Sequence, residues 1–195
     1  MAAAGTLRTR FDMSDSDTEM LERLRHGDEA AFEELFLRHY TQVYRVLYHL
    51  LDNRQEAEDL VQETFLTLFR QPPPPRTAVP LPAWLCRVAL NRGYNVLRSD
   101  RRERARLPRL VEPDTQLDPQ VESQRSEDRR RVRATLAELP ERQSSLLLLR
   151  YAGLSYAEIA TVLEVASGSV GTLLARAERA FMSAYERATM TEHDS

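Results

Sequence analysis

Between Leu139 and Phe181 the apolar residues fall into three helical groups divided by two breaks. The first group ends with Leu146, Leu149 and Arg150, and Gly153 can close that helix in a left-handed cap. Ser155 with Glu158 three residues later has the form of a capping box. It opens a short helix whose Ile159, Ala160 and Leu163 share one face. Val165 and Ala166 turn the chain, and Val170, Leu173, Leu174 and Ala177 give the next helix a buried stripe. A short helix, a tight turn and a longer Arg-bearing helix are the layout of a helix-turn-helix, whose second helix enters the DNA major groove. A plain three-helix core without DNA contact fits the same spacing.

Upstream, Ser14 to Arg25 reads as a short helix with Asp15, Asp17 and Glu19 where the helix dipole favours acids. Gly27 ends it, and Asp28 opens a long helix with Phe32, Leu35, Phe36, Tyr40, Val43, Val46, Leu47 and Leu50 at helical spacing. Asp52 and Asn53 break that helix. The next carries Leu60, Val61, Thr64, Phe65, Leu68 and Phe69 on one face, with Glu56, Glu58, Asp59, Gln62 and Glu63 on the other. Pro72 to Pro75 stop it, since each ring removes a donor and disfavours helix before it. A fourth helix starts near Ala83 and takes in Trp84, Leu85, Val88, Ala89, Tyr94 and Leu97. Arg87, Asn91, Asn95 and Arg98 form its polar stripe, with Arg92 beside them.

No strand-like alternation and no repeat interrupts this pattern. It predicts an all-α protein: two small helical domains joined by a flexible linker, the C-terminal one containing the helix-turn-helix. Residues 1–13 read as a disordered tail and 14–105 as the first domain. Residues 106–128 read as an acidic, Pro-containing linker, with Glu112, Pro113, Asp114, Asp118 and Pro119, and 129–190 as the second domain.

Composition narrows the chemistry. The basic residues, 27 in all, are every one Arg, which suits bidentate contacts to phosphate and guanine. A net charge of −3 confines any nucleic-acid surface to a local patch, and Arg98, Arg101, Arg102, Arg104, Arg106 and Arg109 make one. Cys86 is alone, so a disulfide framework is excluded within one chain and a cytoplasmic address fits best. Neither a signal-peptide core nor a membrane-length apolar run is present. There is no Gly-rich phosphate loop or Ser-His-acid set, and His26, His39, His49 and His193 are scattered singly. The chain is therefore read as no enzyme, with no catalytic residue, metal site or cofactor.

Three segments in this order resemble the extracytoplasmic-function (ECF) sigma factors of bacterial RNA polymerase: D-E-A-A-F-E-E-L-F-L-R-H-Y at 28–40, A-E-D-L-V-Q-E-T-F-L-T-L-F at 57–69, and L-P-E-R-Q through G-L-S-Y-A-E-I-A at 139–160. The resemblance implies a factor that binds core polymerase, directs it to promoters and helps melt the −10 region. It implies core binding by Asp59, Gln62 and Glu63 on a coiled coil of the largest subunit. It implies capture of the −10 element by Trp84, Arg87, Asn91, Arg92, Asn95, Arg98, Arg101 and Arg102, a job that needs stacking, a base pocket and cations. Trp84 can also be core beside Leu85 and Val88. For the −35 element it implies Ser155, Ser167, Ser169, Thr172, Arg176 and Arg179; a basic pair usual in the family is here Gly171 and Leu173. Promoter DNA and core polymerase are the implied partners, and an anti-sigma factor a further one, without membrane insertion. The alternative is a stand-alone helix-turn-helix regulator with an N-terminal helical sensor or dimerisation domain, which predicts palindromic duplex sites.

Overall fold

In the computed structural model of the chain, the residues described are 17–51, 53–74, 79–106 and 123–193. They form α1 (17–25), α2 (Glu29–Leu51), α3 (Arg54–Arg70), α4 (Leu81–Arg106), α5 (Ser123–Glu138), α6 (Glu141–Tyr151), α7 (Tyr156–Leu163), a 3-10 turn (Ser167–Ser169) and α8 (Val170–His193). The expected tail at 1–13 and the acidic stretch Glu112 to Pro119 lie outside these residues. Two boundaries differ from the sequence pattern. Helix α4 starts at Leu81, with Pro82 in its first turn, where the missing N–H costs nothing. Helix α5 starts at Ser123, inside the range read as linker, although its charged sequence carries little amphipathic pattern.

The breaks in the pattern are built as local chemistry requires. Asp28 Oδ1 accepts from the amides of Ala30 (3.0 Å) and Ala31 (3.3 Å), capping α2. Asn53 caps α3 through the Glu56 amide at 3.2 Å. The Ser155–Glu158 box is present in both directions, with the Ser155 amide 2.7 Å from Glu158 Oε2. Gly153 takes φ 91° after α6, the left-handed cap that its position demands. Helix α7 instead ends on Glu164 at φ 54°, a left-handed residue without the glycine that normally announces one.

Two apolar cores result. The first gathers Leu35, Val43 and Leu47 of α2, Leu60, Val61, Phe65 and Leu68 of α3, and Leu85 and Ala89 of α4. Fully burying each of the larger of these side chains stabilises the domain by about 1.5–3 kcal/mol. Helix α1 joins through Met20, Leu21 and Leu24, and its buried Asp17 accepts from Arg38 (2.8 Å) and faces His39 Nε2 (3.0 Å). The second core holds Leu146, Leu149, Leu154, Ile159, Val170, Leu174 and Ala177, together with Val46 of α2 and Ala83, Cys86 and Leu90 of α4. That last set changes the picture. Helix α4 is buried on two sides, and the helix-turn-helix domain completes its core on the first domain as well as being joined to it along the chain.

Candidate protein and nucleic-acid interfaces

Helix α3 turns its apolar stripe inward and leaves Asp59, Gln62 and Glu63 exposed on the opposite face. Asp59 accepts from Gln55 one turn earlier at 3.2 Å. Glu63 is held differently: Arg92 reaches across from α4 to its Oε2 at 2.5 Å and to Thr67 Oγ1 at 2.8 Å. Leu66, on the same flank, and Phe69 are each 45% exposed. Phe69, expected in the buried stripe, meets Phe32 edge-on at 5.2 Å and leaves much of its ring in solvent. Exposed apolar side chains with polar groups around them are the make-up of a protein-docking face, an apolar centre inside a polar rim.

The polar stripe expected along α4 divides. Arg92 faces α3 and pairs with Glu63, away from the stripe. Arg87 faces the second domain, where it donates to the Thr161 carbonyl and to Glu164 Oε1 at 3.2 Å. Arg98 donates to Asn95 Oδ1 at 2.8 Å and reaches Glu141 at 3.5 Å. Asn91 is exposed at the mouth of a cleft shared by Arg87, Tyr94, Glu141 and Glu164. Arg101 and Arg102 lie exposed towards the end of the helix. Trp84 is half-buried against the first core, which is the packing role rather than an open stacking surface. Before α4, Pro73 is buried and its carbonyl accepts from Arg25 of α1, so the start of the proline loop is tied to the N-terminal helix.

Sequence reading missed Tyr94 as a contact residue. Its hydroxyl donates to the Glu141 carbonyl at 2.9 Å and lies 3.0 Å from Ser145 Oγ. Burial raises its pKa, with the Ser145 hydrogen bond acting in the opposite direction. Cys86, fully buried between α4 and the second domain, has its thiol pushed up to about 12 by burial and, less, by Glu158. At the other end of the same junction His49 stands edge-on to Tyr151 at 4.8 Å. Burial, and then Arg133, Arg45 and Arg129, hold its pKa below the ordinary 6.5.

In the helix-turn-helix, Ser167, Ser169, Thr172, Arg176 and Arg179 are exposed along the turn and the first turns of α8. Ser155 is committed to its cap, with Oγ 2.5 Å from Glu158 Oε2. Arg150 and Tyr156 were not expected here: the Arg150 guanidinium lies over the Tyr156 ring at 5.7 Å. That ring borders Gly171, where an added Cβ would meet it at an ordinary 3.6 Å. Among the described residues, no group of three or more His, Cys, Asp or Glu is placed to hold a metal ion. Among them no single helix is long and apolar enough to cross a membrane.

Comparison with known proteins agrees with this arrangement. The chain matches Sigma-70 region 2 over residues 35–103 and Sigma-70, region 4 over residues 129–181. It is similar to the RNA polymerase sigma-H factor of Pseudomonas aeruginosa, 30% identical over 183 residues covering 88% of this chain and 95% of the relative. It is also similar to the ECF RNA polymerase sigma-E factor of Haemophilus influenzae, 30% identical, covering 83% of this chain and 91% of the relative. The fold is that of CnrH in its complex with the cytosolic domain of CnrY, with a TM-score of 0.65 at 22% identity, covering 92% of this chain and 99% of that one. The Bartonella quintana sigma factor RpoE, solved with the anti-sigma factor NepR, gives 0.57 at 20% identity over 80% and 96%. With region 2 in the first helical domain and region 4 in the helix-turn-helix domain, the chain belongs to the sigma-70 family as an ECF-type RNA polymerase sigma factor.

Proposed function

We propose that this sigma factor docks on core polymerase through the outward face of α3, melts the −10 region with α4, and reads the −35 element with residues 167–179. Residues 14–105 then act as the polymerase-binding and −10 domain, 106–128 as the connecting linker, and 129–190 as the −35 domain. Asp59 and Gln62 lead the docking face, and the exposed Leu66 and Phe69 extend it with the apolar area that an interface core requires. Glu63 contributes through its pair with Arg92, which holds the two helices together at that flank. Arg87, Asn91, Asn95, Arg98, Arg101 and Arg102 offer donors to an unpaired strand. Ser167, Ser169 and Thr172 offer hydroxyls near a helix start, suited to phosphate, while Arg176 and Arg179 follow along α8.

RNA synthesis itself belongs to the polymerase, and this chain supplies promoter choice and strand opening in the cytoplasm where the polymerase works. An anti-sigma factor is a further partner on this reading, because relatives of this fold have been solved in complexes with one.

The observation that carries the reading is the acidic and apolar face of α3, on which Asp59, Gln62, Leu66 and Phe69 are exposed. Asp59→Arg combined with Gln62→Ala tests it. The double variant is expected to lose core polymerase in co-migration while keeping the wild-type helical content and melting curve, because both residues are exposed. Normal holoenzyme formation by that variant would remove the assignment.

A further inference from the structure

Helix α1 reaches both ends of the connection that joins the proposed polymerase helix, α3, to the proposed −10 helix, α4. It lies on the first core through Met20, Leu21 and Leu24. At its start the buried Asp17 is held by Arg38 and His39, and these three residues share a cleft of about 340 Å³ with Pro80 and Pro82, where the chain enters α4. At its end the Arg25 guanidinium donates to the Pro73 carbonyl, where the chain leaves α3. Residues 17–25, about 13 Å of helix, thus run from one end of the connection to the other.

Arg25 is placed for that contact. Its side chain is only 17% exposed, and Glu22 Oε1, 2.7 Å away and one turn back, fixes its other terminal nitrogen. Pro73 is buried, so its carbonyl needs a donor. The segment around it has none to give: Pro72 to Pro75 carry no N–H, and the Gln71 amide is spent on the Thr67 carbonyl at 2.8 Å. A proline run is also a semi-rigid spacer, so a hold on one residue directs its neighbours. A flexible loop of the same length would absorb the tie without passing it on.

We propose that Arg25 is a positioning residue for promoter opening: through Pro73 it sets the direction in which the proline segment leaves α3, and so the placing of α4 against the melting strand. The inference rests on reading α4 as the −10 surface. Its effect belongs to the opening step and not to the first encounter with the promoter.

Holoenzymes reconstituted with single-site variants test it by separating promoter binding from the rate of strand opening. Arg25→Ala is expected to bind core polymerase and the closed promoter as the wild type does. It should open that promoter about tenfold more slowly, a loss within what a small misplacement of interacting groups brings. Arg25→Lys, which keeps a charged donor on a flexible stem, is expected to recover most of that rate. Arg23→Ala is the control: it removes the exposed ion pair to Asp28 at the same end of α1, leaves Pro73 held, and is expected to open promoters normally. Equal slowing by Arg23→Ala and Arg25→Ala would overturn the proposal, since any loosening of α1 would then suffice. An Arg25→Lys holoenzyme as slow as Arg25→Ala would overturn it too. Asn91→Ala, on α4 itself, marks the underlying reading. Slow opening by Asn91→Ala with normal opening by Arg25→Ala overturns the brace alone, whereas normal opening by both takes the −10 reading of α4 with it.

Discussion

Gly171 sits in the first turn of α8 with no φ that requires glycine and only the edge of Tyr156 near its missing side chain. Nothing in the fold therefore demands it, and a glycine inside a helix costs about 1 kcal/mol relative to alanine. Gly171→Ala is expected to raise stability by up to about that amount, measured by urea unfolding. Gly171→Arg would add a cation beside Tyr156 and Arg150 on the proposed −35 face. Duplex −35 binding is then expected to tighten, and its log-affinity against log-salt slope to steepen by about one, as for one more phosphate contact. An unchanged slope would place this turn away from the DNA backbone. His49 gives a second test at the same scale. Its folded pKa lies below 6.5, so as pH falls through 6.5 the unfolded chain takes up the proton first. Its contribution to stability is present above that pH and is lost as pH drops from 6.5 towards the folded value. His49→Gln is expected to flatten the loss of stability between about pH 7 and 5, whereas an equally steep acid limb in the variant would assign that limb to other groups.

At the scale of elements, what could be read from the sequence was what is local. The capping box at Ser155, the glycine caps at Gly27 and Gly153, and the inward stripe of α3 from Leu60 to Leu68 depend on residues three or four apart, and each stands where the spacing put it. The αL end of α7 could not be read, because Glu164 carries no glycine-like mark and its geometry is imposed by the turn into the 3-10 segment. The division of the α4 stripe was equally hidden. Arg87, Asn91, Arg92 and Arg98 are close in sequence, yet Arg92 meets a partner 29 residues away and Arg87 one 77 residues away. Helical spacing gives faces, and it does not say which neighbour covers each face. Ser155 shows how much a local element carries: Ser155→Ala removes the cap and is expected to cost about 1 kcal/mol. Because Ser155 already bonds to Glu158, the variant should weaken −35 binding only in proportion to that loss of stability. A collapse of DNA binding with stability intact would make the hydroxyl itself a DNA contact.

At the scale of the whole molecule, the pattern predicted two domains joined by a linker, and the described residues add a seam between them. Its apolar part was invisible for a simple reason: Ala83, Cys86 and Leu90 look like any helix-core residues, and composition cannot assign a buried stripe to one domain or the other. The seam has a thermodynamic signature. With α4 contributing to both cores, neither domain can unfold without exposing apolar surface on its neighbour, so the free chain should melt cooperatively. Trp84, the one tryptophan, packs on the first core, and its fluorescence therefore follows that domain alone while far-UV circular dichroism follows both. The two transitions are expected to coincide in the wild type. Leu90→Arg places a charge in the seam, where Leu90 is buried with the second domain's residues and not with the first core. The variant should keep its Trp84 transition nearly in place while the circular dichroism curve separates into two steps, the earlier one belonging to the helix-turn-helix domain. If the two probes already separate in the wild type, the domains unfold independently and the seam contributes little to stability. If Leu90→Arg lowers both transitions together, α4 transmits the damage into the first core, and the two cores behave as one.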